Sequence, residues 1–357
     1  MRIKFDFLLI FLLIPFIGIS LFLVDEISHR LFIKELAYIG IGIIVFTVVY
    51  FIPIRKLLWL IPIIYWINIT LLLMVDLFGT TILGAKRWLK IPFINLTIQP
   101  SEFMKTTLLL MLGYLIYKHP PRPQYTFKEF LRFSVYIIIP FLLIAKEPDL
   151  GTALILLIIG FGVLFIVGVD KKVWITIAVS SVIIVPVYYK FFMKDYQKKR
   201  IESFLNKPSY HVKQSLIAIG SGGLKGKSKN EATQTQLKFL PIASSDFIFA
   251  YYVERFGFIG ASVLIFLYFL LIYYLLSRAL ALKDDYFAKV MYAGVALMIF
   301  IYSYINISMT MNLAPVVGVP LPLISHGGTS FINFMILFAI LENLVARKDF
   351  LHTHGVK

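Results

Sequence analysis

A carboxylate that closes a basic, glycine-containing stretch and opens an apolar run stands where proton chemistry can meet a membrane edge. Asp246 is placed that way, in Leu240-Pro241-Ile242-Ala243-Ser244-Ser245-Asp246-Phe247-Ile248-Phe249. Such a group can cap the following helix by accepting from the free amides of its first turn. It can equally act as a general base, partly desolvated by Phe247 and Phe249 and shifted towards neutrality. Position alone leaves the two roles level. Glu254 lies about two helical turns deeper, near the same face, with Arg255 beside it as a counter-charge.

Ionisable groups within or at the ends of apolar runs are costly and therefore functional suspects. Gln99-Pro100-Ser101-Glu102 reads as a helix entry, and Lys105 follows Glu102 at i+3, so both project from one face. They form either a structural ion pair or a substrate-facing pair with Lys105 open to an anion. Asp149, in Glu147-Pro148-Asp149-Leu150-Gly151-Thr152, falls in a first helical turn, where capping explains it more cheaply than catalysis. Residues 220–228 read Gly-Ser-Gly-Gly-Leu-Lys-Gly-Lys-Ser. As a nucleotide-binding P-loop this fails, because Ser221 stands where glycine is needed and no strand precedes it. A pliable loop whose amides and lysines cradle a diphosphate is the better reading. Pro315 to Thr329 holds three prolines and three glycines and cannot run as an unbroken helix, so it should wall a cavity. His326 within it reads as a hydrogen-bonded structural group ahead of a proton shuttle.

The elements that must position these residues follow from composition. Of 357 residues, 59% are apolar and 15% charged; soluble domains run near 45–50% and about 25%, so a soluble globular chain is excluded as a poor fit. The absence of cysteine removes disulfides, thiolate nucleophiles and Cys-based metal sites. Apolar runs long enough to cross a bilayer, about 20 residues, fall at 7–24, 36–52, 57–77, 101–117, 131–145, 150–168, 172–191, 247–276, 286–310 and 322–346. They are too long for strands and do not alternate. The first run exceeds a signal-peptide core and lacks a small-x-small site, so it reads as a span. The expected fold is an all-α integral membrane protein of about ten transmembrane helices, with residues 1–357 as one polytopic domain and no internal repeat.

With the N-terminus inside, the short cytoplasmic segments carry sixteen Lys or Arg and the short segments opposite carry six, Arg30, Lys34, Lys86, Arg87, Lys90 and Lys146. That asymmetry places both termini in the cytoplasm and accounts for the net charge of +16 without nucleic acid. Residues 192–245 then form one large extracytoplasmic loop between helices seven and eight, with ten Lys or Arg against Asp195, Glu202 and Glu231. Long loops cross largely regardless of charge; one this basic, with glycine-rich stretches, expects an anionic partner such as a phosphate-bearing lipid or sugar.

The ordered motifs resemble the SEDS family (shape, elongation, division and sporulation). They run from Arg87-Trp88 through Gln99-Pro100-Ser101-Glu102, Lys105 and Pro148 to Ala153. Gln214-Ser215, Ala218 to Gly223, Gly226-Lys227, Thr233-Gln234 and Phe239-Leu240-Pro241 follow. Asp246 to Ala250, Gly257 to Gly260, Pro315 to Pro322, Ser325 and Gly327-Gly328 complete the set. Pro315 to Pro320 looks more like the rod-shape branch than the division branch. Four positions depart from the family pattern: Ile242 and Arg255 where glutamates are usual, His326 for tyrosine and Ala232 for glycine.

The resemblance implies a peptidoglycan glycosyltransferase of the bacterial inner membrane that polymerises lipid II beside a class B penicillin-binding protein. Asp246 matches the family's essential aspartate. Glu102, Lys105, Arg87, Trp88, Lys227, Gln234 and Ser325 are the expected substrate-binding residues, and a divalent cation, Mg or Mn, is a candidate cofactor. A flippase for lipid-linked precursors, or a non-enzymatic scaffold for the penicillin-binding partner, would share the spans and the basic loop but not need the aspartate's chemistry.

Overall fold

Backbone in lipid must satisfy its own hydrogen bonds, so long runs of Leu, Ile and Phe resolve into helices. The computed structural model describes residues 5–82, 85–90, 97–147, 149–191, 193, 195–206, 208–232, 234, 239 and 243–346. Pro148, Thr233 and residues 240–242, which carry parts of the motifs above, lie outside the described residues. Helix α1 (Phe7–Ile27) meets α2 (His29–Phe51) through Ser28 alone, so the second helix starts a turn or more earlier than its apolar run at 36. A 3-10 turn (Ile54–Leu60) leads into α3 (Ile61–Phe78). Helices α4 (Pro100–Lys118), α5 (Phe127–Lys146), α6 (Leu150–Val167) and α7 (Lys171–Phe191) follow.

Between α7 and the next long helix the described residues include two short helices, α8 (Asp195–Leu205) and α9 (Tyr210–Ser221), and a 3-10 turn (Lys229–Glu231). Three long helices close the chain: α10 (Ile248–Ala281), α11 (Tyr286–Thr310) and α12 (Gly328–Ala346). The last begins at Gly328 rather than 322, because the proline-bearing segment before it stays irregular, as its composition requires. Eight helices among the described residues are long and apolar enough to cross a membrane. Helices α4 and α5, each expected as a span, are not among the eight and carry Glu102, Lys105 and Lys118, and Lys128, Glu129, Arg132 and Lys146, respectively.

In the apolar stretches of α11 and α12, 72% of residues are buried, against 6% in α7. The first two are therefore the centre of the bundle, while α7 turns Val179, Val182, Ile183 and Ile184 outward. Helix α2 packs on α12 along Tyr38 and Gly42, and Glu35, on the same helical face, reaches His326 just before α12. A Cβ on Gly42 would fall 2.7 Å from the Phe331 ring, so glycine sets that approach.

Helix α10 has 34 residues, about 51 Å at 1.5 Å per residue, more than a bilayer core of about 30 Å needs. It breaks at Gly257 (φ 64, ψ −162). A Cβ there would meet the Gly226 nitrogen at 2.4 Å and Leu224 backbone at 2.6 Å, so a loop is wedged into the break. An otherwise all-α chain also carries a small antiparallel sheet that hydropathy did not reveal: β1 (Thr80–Ile82), β2 (Ala85–Lys90) and β3 (Thr97–Ile98), paired Thr80 with Trp88 and Leu89 with Ile98.

Candidate active site

Asp246 lies in the turn that precedes α10, partly buried. Three hydrogen bonds fix that turn. The Asn306 amide of α11 donates to the Asp246 carbonyl at 2.9 Å and to the Val319 carbonyl at 2.7 Å. Ser325 Oγ donates to the Ser245 carbonyl at 2.7 Å, and the His326 amide to the Ser244 carbonyl at 2.8 Å. The side chain itself accepts from Ser245 Oγ at 2.9 Å, and its carboxylate faces Gly318, whose missing Cβ would sit 3.5 Å from Oδ2. Gly318 has φ 73, a conformation glycine adopts without strain. No first-turn amide of α10 is capped by this side chain; Phe247 holds the N-cap position without a side-chain bond. Of the two roles left level by position, capping is absent. Burial pushes the Asp246 carboxyl above its ordinary range, with the Ser245 hydroxyl pulling in the opposite direction.

One turn earlier on α11, at i−4 from Asn306, stands Tyr302. Its hydroxyl receives Lys105 Nζ, which also sits 4.8 Å from the ring centroid. Lys105 is fully buried and bonds Glu102 Oε1 at 2.6 Å. The geometry is that of the structural pair weighed above: the ammonium is already committed and has no open face. Glu102 Oε2 is buried without a hydrogen bond. Thr106 and Glu102 both tie to Asn333 of α12.

A second group gathers where strand β2 brings Arg87 to Asp149, 3.3 Å apart. Asp149 caps α6 through the Thr152 amide at 3.2 Å and lies within 3.5 Å of Gln99 Nε2. Gly151 packs so tightly on Val317 that an added Cβ would fall 2.2 Å from it. The segment 315–320 therefore joins the groups, touching Asp246 on one side and the start of α6 on the other. Trp88 is half-buried on the sheet. Glu147, next to this group, is buried with both oxygens unbonded; burial, then Asp149 and Asp76, raise it to about 8.

Lys227 and Gln234 stand apart from these groups, at the break in α10. The amides of Gly226 and Lys227 donate to the Gly222 and Glu254 carbonyls, and those of Phe258 and Ile259 to Gly223 and Leu224. The Gly226 and Lys227 amides are thus taken up in backbone packing and do not face an anion, while Lys225 is exposed on the same loop and Lys227 half-buried. Arg255 is not the counter-charge of Glu254. It pairs with Glu26 of α1 at 2.7 and 2.8 Å and reaches the Lys227 carbonyl, while Glu254 accepts from the Gln234 amide at 3.0 Å. An apolar groove of about 720 Å³ between α10 and α11, lined by Tyr268, Phe269, Leu297 and Phe300 among others, holds no carboxylate or cation and hosts no proton chemistry.

Sequence reasoning missed Asn306, Glu26 and Glu35. Asn306 was findable as a polar residue inside an apolar run; Glu35 was set just outside its span at 36 and so escaped notice.

Residues 2–349 match the family described as Cell cycle protein, FtsW/RodA/SpoVE. The chain belongs to that family. It is 52% identical to the peptidoglycan glycosyltransferase MrdB of Helicobacter pylori (strain J99) over 96% of this chain and 90% of that one. It is 38% identical to the MrdB of Escherichia coli (strain K12) over 90% and 85%. In fold it is similar to a chain of a peptidoglycan synthase complex that coordinates polymerization and crosslinking, with TM-score 0.83, 23% identity and coverage of 96% and 98%. The FtsW/RodA/SpoVE assignment agrees with the resemblance drawn from the motifs.

Proposed function

We propose that this chain is a peptidoglycan glycosyltransferase that polymerises lipid II, releases undecaprenyl diphosphate and serves cell elongation and rod shape. Relatives of that name at 52% and 38% identity support the activity. The observation that carries the chemistry is Asp246: a carboxylate raised by burial, in a turn held at its own carbonyl by Asn306 and at the Ser245 and Ser244 carbonyls by Ser325 and His326, and bonded through its side chain, among the described residues, only to Ser245 Oγ. A general base needs that combination of fixed position and free lone pairs.

The proposed step balances as a single displacement. Asp246 takes the proton from the GlcNAc 4-hydroxyl of one lipid II. That oxygen bonds to the MurNAc anomeric carbon of another chain, the bond from this carbon to the diphosphate oxygen breaks, and its electron pair leaves with the diphosphate. Attack opposite the leaving group converts an α link into a β link, as in other inverting glycosyl chemistry. The diphosphate is a weak base and needs counter-charge rather than a proton. Lys227 supplies it with its side chain; Arg87 and Lys105 do so by exchanging Asp149 and Glu102 for the substrate. Trp88 and Ser325 frame the end that holds Asp246, and Gln234 lies with Lys227 at the break in α10. Among the described residues no three His, Asp or Glu side chains converge as a metal cage; a divalent cation, Mg or Mn, is proposed as a counter-ion carried by the diphosphate.

The same reading takes α1 to α7 and α10 to α12 as ten spans of one unit, residues 1–357, in the bacterial inner membrane. Both termini are cytoplasmic and α8 and α9 lie in the extracytoplasmic loop. A class B penicillin-binding protein is the crosslinking partner, in line with the synthase complex whose fold it shares. Purified protein given labelled lipid II should yield glycan strands separable by length. Lipid II carried across vesicles without polymer would replace this reading with a flippase, and no turnover with or without the partner would leave a scaffold.

A further inference from the structure

Glu35 is a carboxylate in the second turn of α2, 1% exposed, and a charge so enclosed in a membrane helix is expensive unless something uses it. Its Oε2 lies 2.6 Å from His326 Nδ1. Because a carboxylate only accepts, that ring nitrogen carries the proton. Its Oε1 is 3.4 Å from Ser20 Oγ of α1, which donates to the Ile324 carbonyl at 2.9 Å. Tyr38, on the same face of α2, packs so closely on Gly328 that a Cβ there would fall 2.2 Å from the ring. Two helices thus grip residues 324–328 from outside.

That gripped segment is what holds the catalytic turn. Its Ser325 hydroxyl and His326 amide donate to the carbonyls of Ser245 and Ser244, the two residues before Asp246. We infer that Glu35 and His326 are a positioning pair, transmitting the rigidity of α1 and α2 through residues 325–326 to the carboxylate of Asp246. Glu35 is the buried partner of the His326 imidazole. Neither side chain of the pair has a hydrogen bond to the Asp246 carboxylate, which accepts from Ser245 Oγ. The pair's contribution is to keep the base within the narrow geometry that proton abstraction demands, where small displacements cost large factors in rate.

The inference rests on the proposed role of Asp246, and the test separates the two. E35Q, H326Q and the double variant roughly keep side-chain volume while replacing the carboxylate, the imidazole or both by amides. Each is purified with wild type and D246N, checked for thermal midpoint, and assayed for lipid II polymerisation per folded enzyme. The expected result is a kcat reduced about tenfold in each single variant, a KM for lipid II within twofold of wild type, and a double variant no worse than the poorer single, since coupled residues are not additive. Unchanged kcat per folded enzyme, a loss confined to KM, or multiplying losses would overturn the positioning pair. Wild-type rate in D246N would instead remove the role of Asp246 itself.

Discussion

At the scale of single residues, burial raises two carboxyls outside the spans, with different consequences. Asp246 must be ionised to take a proton, so its raised pKa sets the acid limb of the reaction. The rate is expected to fall, as pH drops, at a higher pH than an ordinary aspartate near 4 would give; a pH–rate profile of polymerisation reads this directly. Glu147 sits at about 8 in the folded protein against 4.5 ordinarily, with desolvation first among the causes. Between those values the unfolded chain has released a proton that the folded chain keeps, so stability falls as pH rises through that window and levels off above it. Thermal midpoints from pH 5 to pH 8 should therefore decline in wild type and decline less in E147Q, which is neutral throughout. An equal slope in both would locate the pH dependence elsewhere.

Among the elements, the break in α10 is where a single atom matters most. Gly257 combines a positive φ with backbone of residues 224–226 inside the space a Cβ would take. G257A should cost about 2 kcal/mol or more, seen as a lowered thermal midpoint, whereas G18A, in a helix with open space around it, should not. Such breaks were only partly legible. Apolar run length placed most of the long helices, and the prolines and glycines from Pro315 onward announced an irregular wall. In the Gly222–Gly226 loop, sequence does not say which carbonyls the Gly222 and Gly226 amides meet. The sheet of residues 80–98 was hidden because its strands are two to six residues long. Pairs such as Glu26–Arg255 and Glu35–His326 join residues 229 and 291 apart, a distance no local pattern encodes.

For the molecule as a whole, the polar contacts separate by end. Asp246, Glu102–Lys105, Arg87–Asp149 and Glu35–His326 gather where α10, α4, α6 and α2 begin. Asp6–Arg278, Arg55–Asp285 and the Asn343 amide on the Tyr50 carbonyl hold the other. The proposed orientation turns the first end outward. A chain without cysteine is a clean background for single replacements. K229C should react with an impermeant maleimide from outside spheroplasts and K283C only after lysis; the reverse pattern would invert the topology. The account's central claim remains the proton taken by Asp246. Its most direct measurement is the polymerisation rate of purified D246N on labelled lipid II, beside wild type with matched insertion and thermal midpoint. The account predicts a loss of about 10²–10⁴-fold with lipid II binding retained, and a D246N enzyme building strands at wild-type rate would contradict it.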